Sequence, residues 1–209
     1  MSEIGERTID GFLTDLGSDA PTPGGGAVAA LSGATGAALI EMVCNLTIGK
    51  TGYEEVQERM AAVREEAGAA RTAFLELADR DATAFDGVMA AFKMPKDTDA
   101  QKAERSREIQ RGYESAAEVP LDCAKAAATL MELAVEVTGN GNANAASDGS
   151  SAAQCLSAAV WCATYNVEIN AAALKDQPKS QALRDEVSAL RATAKALLDT
   201  ANVAFADRI

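Results

Sequence analysis

The sequence predicts an all-α protein, a single-domain antiparallel helical bundle of about six long helices that takes up residues 1–209. Two observations lead to this prediction. Apolar residues return every three or four positions along most of the chain, as on one face of a helix, and no segment alternates as a strand would. No repeat, linker or low-complexity segment divides the chain, and 209 residues can bury a sizeable core.

The first two helices are predicted on either side of a glycine loop. A short amphipathic helix ends at Gly17, and its apolar face is formed by Ile9, Phe12, Leu13 and Leu16. The loop PTPGGG, residues 21–26, then leads into a helix from Ala27. Small residues leave one side of this helix bare, at Ala29, Gly33, Gly36 and Ala37. We therefore expect it to be the central helix of the bundle, buried on nearly all sides.

The third and fourth helices are predicted from their capping signals. Thr51 and Glu54 have the spacing of a capping box, and the apolar stripe that follows runs through Val56, Met60, Val63, Ala67, Ala70, Phe74 and Leu77. This helix should reach Phe92. Thr98 and Gln101 form a second capping box, for a helix that continues to about Thr138. Pro120 should kink or divide it, because proline has no amide hydrogen.

Two more helices complete the bundle. Ser147 is the predicted N-cap of the fifth, whose apolar face holds Leu156, Val160, Ala163, Val167 and Leu174. Pro178 should open the sixth, because proline suits the first turn of a helix. Its apolar face holds Leu183, Val187, Leu190, Ala194 and Leu197.

Composition excludes several classes of function. The chain has 31 acidic and 19 basic residues and a net charge of -12, which argues against nucleic acid and anionic membrane surfaces as partners. The uncharged run 22–40 is too weakly hydrophobic to predict a membrane span. Four scattered cysteines, without a CxxC pair or a secretory signal, predict a cytoplasmic protein. Because histidine is absent, we expect no metal site, and acid-base chemistry must use another side chain.

The glycine loop is the first candidate binding site. Gly24, Gly25 and Gly26 precede a helix whose first-turn amides have no intrahelical acceptor, and the positive end of its dipole favours an anionic or carbonyl-bearing ligand. A tight loop before a buried helix explains the same residues, so this motif alone leaves both interpretations open.

Asp81 is the candidate with the strongest chemical implication. Continuing the stripe of the third helix four residues past Leu77 reaches Asp81, and the next positions are Phe85, Val88 and Phe92. Burying an unpaired carboxylate is costly, so we expect a perturbed pKa. Such a group is either catalytic or a structural tie to a neighbouring helix.

Amide, acidic and basic side chains at helix ends form a third group of candidates. They are Asn142, Asn144 and Asp148 at the start of the fifth helix, Asn166 and Asn170 near its end, and Lys50, Lys93 and Lys96 beside the second and third helices. Asparagines at such positions also serve as turn and cap residues, and such lysines are usually only solvated, so a structural role stays open.

Six segments, taken together, resemble a known family. They are PTPGGGAVAA at 21–30, NLTIGK at 45–50, DATAF at 81–85, MPK at 94–96, GNANAASD at 141–148 and YNVEIN at 165–170. Their order and spacing resemble the cyclodeaminase/cyclohydrolase family of folate enzymes, which comprises the C-terminal part of formiminotransferase-cyclodeaminase and its stand-alone relatives. Ala27 stands where relatives often have serine, which removes one hydroxyl contact.

The resemblance implies an all-helical homodimer that binds a tetrahydrofolate derivative as its substrate, uses no other cofactor, and has Asp81 as the catalytic carboxylate. It also implies roles for the other candidates. The backbone of Gly24, Gly25 and Gly26 would donate to the substrate, the pterin would be bound by Asn142, Asn144, Asp148 and Asn166, and the glutamate tail by Lys50 with Lys93 or Lys96.

Three functions agree with the resemblance. We expect a methenyltetrahydrofolate cyclohydrolase, which adds water to 5,10-methenyltetrahydrofolate to give 10-formyltetrahydrofolate. The alternative is a formiminotetrahydrofolate cyclodeaminase, which closes a ring and releases ammonia. A second alternative is a non-catalytic helical folate-binding module, which has no need of a buried titratable group such as Asp81. Because the resemblance covers one domain of the fused enzyme, we expect no channelling from a formiminotransferase domain.

Overall fold

A computed structural model describes residues 4–209 of the chain. Within this range there are six α-helices and no strand, which confirms the all-α prediction. The α-helices are α1 Ile9–Leu16, α2 Gly25–Thr47, α3 Gln57–Lys93, α4 Asp99–Asn140, α5 Ala146–Ala172 and α6 Gln177–Ala206, and the short 3-10 helices are Ile4–Glu6, Glu54–Val56 and Ala143–Ala145.

Four long helices, α2 to α5, form one bundle. Helix α2 packs between α3 and α5, α4 packs against α3 and α5, and α6 lies against α4 and α5. Short connections make consecutive helices antiparallel, so the bundle has two distinct ends. We call the end with residues 17–24 and the start of α2 the glycine end. The opposite end, which holds Lys50 and the start of α5, is the lysine end.

Small residues on α2 allow its neighbours to approach closely. A Cβ atom at Gly33 would lie 2.5 Å from the Phe74 ring on α3, and one at Gly36 would lie 2.7 Å from Leu156 on α5. Ala29 on the same side is fully buried. The side of α2 with small residues is thus the side that packs against α3 and α5.

The expectation that α2 is buried on nearly all sides is wrong. Thr35 and Ala38 are exposed, and Met42 and Leu46 are each 44% exposed. These side chains project away from the bundle because close packing uses the opposite, glycine-bearing side. By length and composition α2 could cross a membrane, but 56% of its most apolar window is buried inside the bundle.

Capping predictions have mixed outcomes. Thr98 and Gln101 form the predicted capping box of α4, and Pro178 lies in the first turn of α6. Thr51 does not cap α3, because a 3-10 turn intervenes and Glu54 accepts from the Gly52 amide instead. Ser147 does not cap α5 either. That helix begins one residue earlier, at Ala146, directly after a 3-10 turn.

Candidate active site

A cavity of about 560 Å³ opens at the glycine end between α3, α4 and α5 and the loop before α2. Its volume is within the range of small-molecule binding sites, roughly 300 to 1,000 Å³. Most of its wall is apolar or backbone, and few polar side chains reach it. The lining residues are Pro21, Thr22, Gly24, Gly25, Gly26, Asp81, Ala84, Phe85, Val88, Met89, Phe92, Tyr113, Ala116, Asn166, Ile169, Asn170 and Ala173.

Asp81 lies in this cavity directly beside the start of α2. A Cβ atom built on Gly26 would overlap the carboxyl group of Asp81, so only glycine at this position admits the carboxylate. The Gly24 carbonyl accepts the first intrahelical bond of α2, from Val28. The amides of the first turn therefore have no intrahelical acceptor and are available at the carboxylate or at a ligand.

Burial raises the pKa of the Asp81 carboxyl group above its usual value, and the backbone amide of Ala27 acts in the opposite direction. No cationic side chain of residues 4–209 contributes to this shift. The carboxylate is therefore stabilised by backbone and helix dipole rather than by an ion pair. A carboxyl group with a raised pKa and no fixed counter-ion is better able to accept a proton and to donate it again than an ordinary surface carboxylate.

Pro120 fixes the orientation of an amide in the cavity. Proline cannot donate to the carbonyl of residue 116, and Asn170 Nδ2 donates to that carbonyl instead, at 2.9 Å. The same Nδ2 also donates to the Asn166 carbonyl at 2.9 Å. Both amide hydrogens are thus used, and Oδ1 of Asn170 is left as an acceptor for a ligand. Of the two outcomes expected for Pro120, a division of the helix does not occur, since α4 is one helix from Asp99 to Asn140.

Asn166 reaches the cavity as predicted. Its Nδ2 donates to the Cys162 carbonyl at 2.9 Å, and a Cβ atom at Gly25 would lie 3.3 Å from it. The glycine loop and the end of α5 therefore meet on one wall. Gly24, Gly25, Gly26, Asp81 and Asn166 are the predicted site residues that the fold brings together around one cavity.

The other predicted site residues lie elsewhere. Lys93 and Lys96 are not among the residues that line the cavity, although Lys93 directly follows the lining residue Phe92. Lys50 is at the lysine end, just past α2, and this helix separates it from the glycine end by about 33 Å, at 1.5 Å per residue from Gly25 to Thr47. Its Nζ donates to Asn142 Oδ1 at 2.9 Å.

Asn142 is a structural tie in this fold. It is only 6% exposed, its Nδ2 donates to the Leu46 carbonyl at 2.9 Å, and its amide donates to Thr47 Oγ1 at 2.8 Å. Asn144 and Asp148 lie at the same end of the bundle. The expectation that this group shares one site with Asp81 is not met within a single copy, because α2 and α5 run antiparallel between the two ends.

Metal and thiol chemistry find little support among these residues. Within residues 4–209 no three acidic, histidine or cysteine side chains lie close enough to hold a metal ion. Burial raises the pKa of Cys123 to about 12, with a smaller contribution from Asp81, and burial raises the pKa of Cys44 to about 11. Thiols with such pKa values are protonated at neutral pH and are poor nucleophiles.

Several cavity residues were not assigned a role from sequence. Phe85 and Phe92 continue the stripe of Asp81, and that spacing was a usable signal. Asn170 is a candidate from its place near the end of the fifth helix, but its fixed orientation depends on Pro120, fifty residues earlier. Tyr113 and Ile169 gave no signal, because aromatic and aliphatic residues at helical spacing usually form the core.

A half-buried carboxyl group in a mainly apolar cavity of an all-α bundle is typical of an enzyme active site. Comparison with known proteins identifies the family. The family model described as formiminotransferase-cyclodeaminase matches residues 8–189. The chain therefore belongs to the formiminotransferase-cyclodeaminase family, as its sequence motifs indicate.

Named relatives fall into two groups. The chain is 42% identical over 193 residues to a methenyltetrahydrofolate cyclohydrolase from Methylorubrum extorquens, which covers 92% of this chain and 93% of that protein. It is 35% identical over 184 residues to the formimidoyltransferase-cyclodeaminase of Sus scrofa, but this match covers only 34% of the pig protein. A crystal structure of formiminotetrahydrofolate cyclodeaminase from Thermotoga maritima superposes with a TM-score of 0.88 at 30% identity over 98% of both chains.

Proposed function

We propose that this protein is a methenyltetrahydrofolate cyclohydrolase, which converts 5,10-methenyltetrahydrofolate and water to 10-formyltetrahydrofolate. The observation that supports this most directly is the position of Asp81, the one carboxyl group among the described residues that line a mainly apolar cavity at a helix N-terminus. The similarity to a relative of that name over nearly the full length of both chains agrees with it.

The chemistry removes two protons from the attacking water and delivers one to N5. The methenyl carbon lies between two nitrogens and shares their positive charge, which the Asp81 carboxylate attracts. The carboxylate takes a proton from water as the oxygen bonds to the methenyl carbon. The resulting carboxylic acid then protonates N5 as the bond from that nitrogen to the carbon breaks, and the new hydroxyl group loses its proton to the solvent as it becomes the carbonyl of the formyl group on N10. Asp81 is returned as the carboxylate.

The cavity offers a substrate two kinds of surface, one apolar and one with hydrogen-bonding groups. Phe85, Met89 and Tyr113 offer apolar surface for the p-aminobenzoyl ring. The Asn170 Oδ1 atom and the backbone amides of the first turn of α2 offer an acceptor and donors for the pterin edge. Water is the only other reactant, so the mechanism needs no further cofactor.

A cyclodeaminase is the second candidate, because the fold superposes on a formiminotetrahydrofolate cyclodeaminase over 98% of both chains. The two functions are distinguished by two assays with one protein preparation. Loss of methenyltetrahydrofolate absorbance faster than in buffer alone supports the cyclohydrolase. Ammonia release from formiminotetrahydrofolate, with no acceleration of methenyl hydrolysis, would overturn it. Tight folate binding without either reaction would indicate the non-catalytic module.

We also propose that the protein is a homodimer, joined through the outer faces of α2 and α5. Helix α2 has one charged residue, Glu41, and this is held against α3 by Arg71 at 2.6 Å. Met42 and Leu46 are exposed on α2, as are Trp161 and Tyr165 on α5. Exposed apolar side chains on a chain of net charge -12 fit burial against a second copy better than exposure to water.

A two-fold axis across the middle of α2 would bring the lysine end of one copy beside the glycine end of the other. Lys50 and Asn144 of the partner subunit would then approach the Asp81 cavity. We expect a dimer at micromolar concentration and moderate salt by light scattering. Mixing Asp81→Asn and Lys50→Gln variants should restore part of the activity if both residues serve one shared site. A monomer, or no complementation by mixed dimers, would contradict this arrangement.

Localisation follows from the same proposal. The bundle buries 56% of the most apolar window of α2, the chain is acidic, and folate substrates are soluble. We propose a cytoplasmic enzyme without a membrane or nucleic-acid partner, and fractionation of cells that express the tagged protein tests it.

A further inference from the structure

Asn166 is the cavity amide that the proposed reaction leaves without a role. It is half-buried on α5 and lines the same cavity as Asp81. The family resemblance implied a contact with the pterin. Asn170 and the first-turn amides of α2 already offer hydrogen-bonding groups for that ring, so the contacts of Asn166 decide what else this side chain can do.

Asn166 and Asp81 approach the same turn of α2 from two different helices. A Cβ atom at Gly25 would lie 3.3 Å from Asn166 Nδ2, and a Cβ atom at Gly26 would overlap the Asp81 carboxyl group. Gly25 and Gly26 are consecutive, so their Cα atoms are about 3.8 Å apart. The amide from α5 and the carboxyl group from α3 therefore border the same part of the cavity, at the start of α2.

The Asn166 amide keeps two hydrogen-bonding groups for a ligand. Its Nδ2 donates one hydrogen to the Cys162 carbonyl at 2.9 Å, and the second hydrogen stays available. Its Oδ1 accepts no hydrogen bond from residues 4–209. Asn170 differs, because both of its amide hydrogens are used. Asn166 thus offers a donor and an acceptor together.

This part of the cavity meets the requirements of an ordered water molecule. Such a water needs about two to four polar partners. The Asp81 carboxylate, Asn166 Oδ1 and the free hydrogen of Asn166 Nδ2 supply three. A water with a hydrogen bond of about 2.8 Å to each side spans roughly 5 to 6 Å. Phe85 and Val88, which line the cavity on α3, offer no competing polar side chain.

The reaction needs its water in one orientation. A lone pair must face the methenyl carbon while one O–H group points at the Asp81 carboxylate. The other O–H group then needs an acceptor, which Asn166 Oδ1 provides. As the carbon–oxygen bond forms, Asp81 takes the first proton and later delivers it to N5, and the second proton leaves to the solvent. The amide itself neither gains nor loses a proton.

We propose that Asn166 binds the attacking water and orients it toward the methenyl carbon, with Asp81 as the second partner of the same water. This replaces the pterin contact first expected for Asn166. The identity of the reaction rests on the proposed function, whereas the bound water does not. Ring closure with release of ammonia consumes no water, so a water site beside Asp81 also favours the cyclohydrolase over the second candidate.

Two substitutions of Asn166 test this role. Asn166→Ala should lower kcat for methenyltetrahydrofolate by roughly 10²-fold, the cost of a misplaced reactant. Its affinity for 5-formyltetrahydrofolate, measured by calorimetry without turnover, should stay at the wild-type value. Asn166→Asp keeps an acceptor for the water but adds a charge that raises the pKa of the Asp81 carboxyl group. Because the reaction needs the Asp81 carboxylate, the activity of this variant should begin at higher pH than that of wild type.

Two other amides serve as controls. Asn170→Ala should show the opposite division of effects, with weaker binding of 5-formyltetrahydrofolate and a smaller change in kcat, because Asn170 Oδ1 faces the pterin in the proposed function. Asn202→Ala removes an exposed amide of α6 that does not line the cavity and should match wild type in both measurements.

A crystal structure of the unliganded protein, at a resolution that shows ordered water, tests the site without turnover. It should hold one water within about 3.2 Å of both Asn166 and Asp81, and Asn166→Ala should lose it. Absence of this water from wild type overturns the proposal. A normal kcat with weakened folate binding in Asn166→Ala also overturns it. A wild-type protein that holds the water but does not accelerate methenyl hydrolysis contradicts the proposed function and leaves the water site supported.

Discussion

Replacing Asp81 with asparagine separates a catalytic role of this carboxyl group from a structural one. Asparagine keeps the shape and much of the hydrogen bonding but carries no proton between water and the leaving nitrogen. Turnover should fall by roughly 10² to 10⁴-fold, the usual contribution of general acid-base catalysis. This corresponds to about 2.7 to 5.4 kcal/mol of lost transition-state stabilisation. The assay is the decay of methenyltetrahydrofolate absorbance, corrected for spontaneous hydrolysis.

The thermal stability of Asp81→Asn should not fall with its turnover. Burial raises the pKa of Asp81, so between its unfolded and folded pKa values the folded state binds more protons than the unfolded state. Stability therefore falls as pH rises through this window, and above it the full cost of the buried charge is present. Asp81→Asn has no such group. At pH 7 its thermal midpoint should equal or exceed that of wild type.

Two controls make the result decisive. Asp86→Asn removes an exposed carboxylate five residues later on α3 and should leave rate and stability near wild type. Asp148→Asn, at the lysine end, should weaken folate binding more than it slows the chemical step. Near-normal turnover of Asp81→Asn, or a lowered thermal midpoint with a normal rate per folded molecule, would refute the reasoning. If Asp148→Asn binds folate but is inactive, the catalytic role belongs to Asp148.

Three further predictions concern the surroundings of Asp81. Gly26→Ala should lose turnover about as severely as Asp81→Asn, because the added Cβ overlaps the Asp81 carboxyl group. Gly24→Ala is the control, since a Cβ at Gly24 makes only an ordinary contact, 3.7 Å from the Pro21 carbonyl. Equal kcat values for the two alanine variants would contradict this prediction. Pro120→Ala restores a backbone amide that can donate to the Ala116 carbonyl, which Asn170 Nδ2 now satisfies. Thermal stability should therefore rise, while KM should increase because Asn170 loses this hydrogen bond and its fixed orientation. A stabilised variant with unchanged KM would show that substrate binding does not depend on this hydrogen bond. Treatment with a strong chelator should leave turnover unchanged, since no metal-ligand cluster occurs in residues 4–209, and recovery of lost activity by added zinc or magnesium would disprove the carboxylate mechanism.

Helical periodicity determined much of the fold from sequence. It predicted the helices, the start of α4 at its capping box, the first turn of α6 at Pro178, and the inward position of Asp81. These features depend on residues a few positions apart in one helix, so local spacing is sufficient to specify them. Local spacing wrongly predicted Thr51 and Ser147 as helix N-caps, because 3-10 turns precede α3 and α5 at these positions.

Only the tertiary structure decided which helix ends meet. The glycine loop, Asp81 and Asn166 come together because α3 and α5 both run toward the start of α2, while Lys50 and Asn142 lie a helix length away. The hydrogen bond from Asn170 to the carbonyl left free by Pro120 joins residues on different helices. A sequence pattern indicates which face of a single helix is apolar, but pairing between helices depends on how closely those faces can pack. On α2 the face with glycine and alanine is buried, whereas the larger side chains Met42 and Leu46 stay exposed.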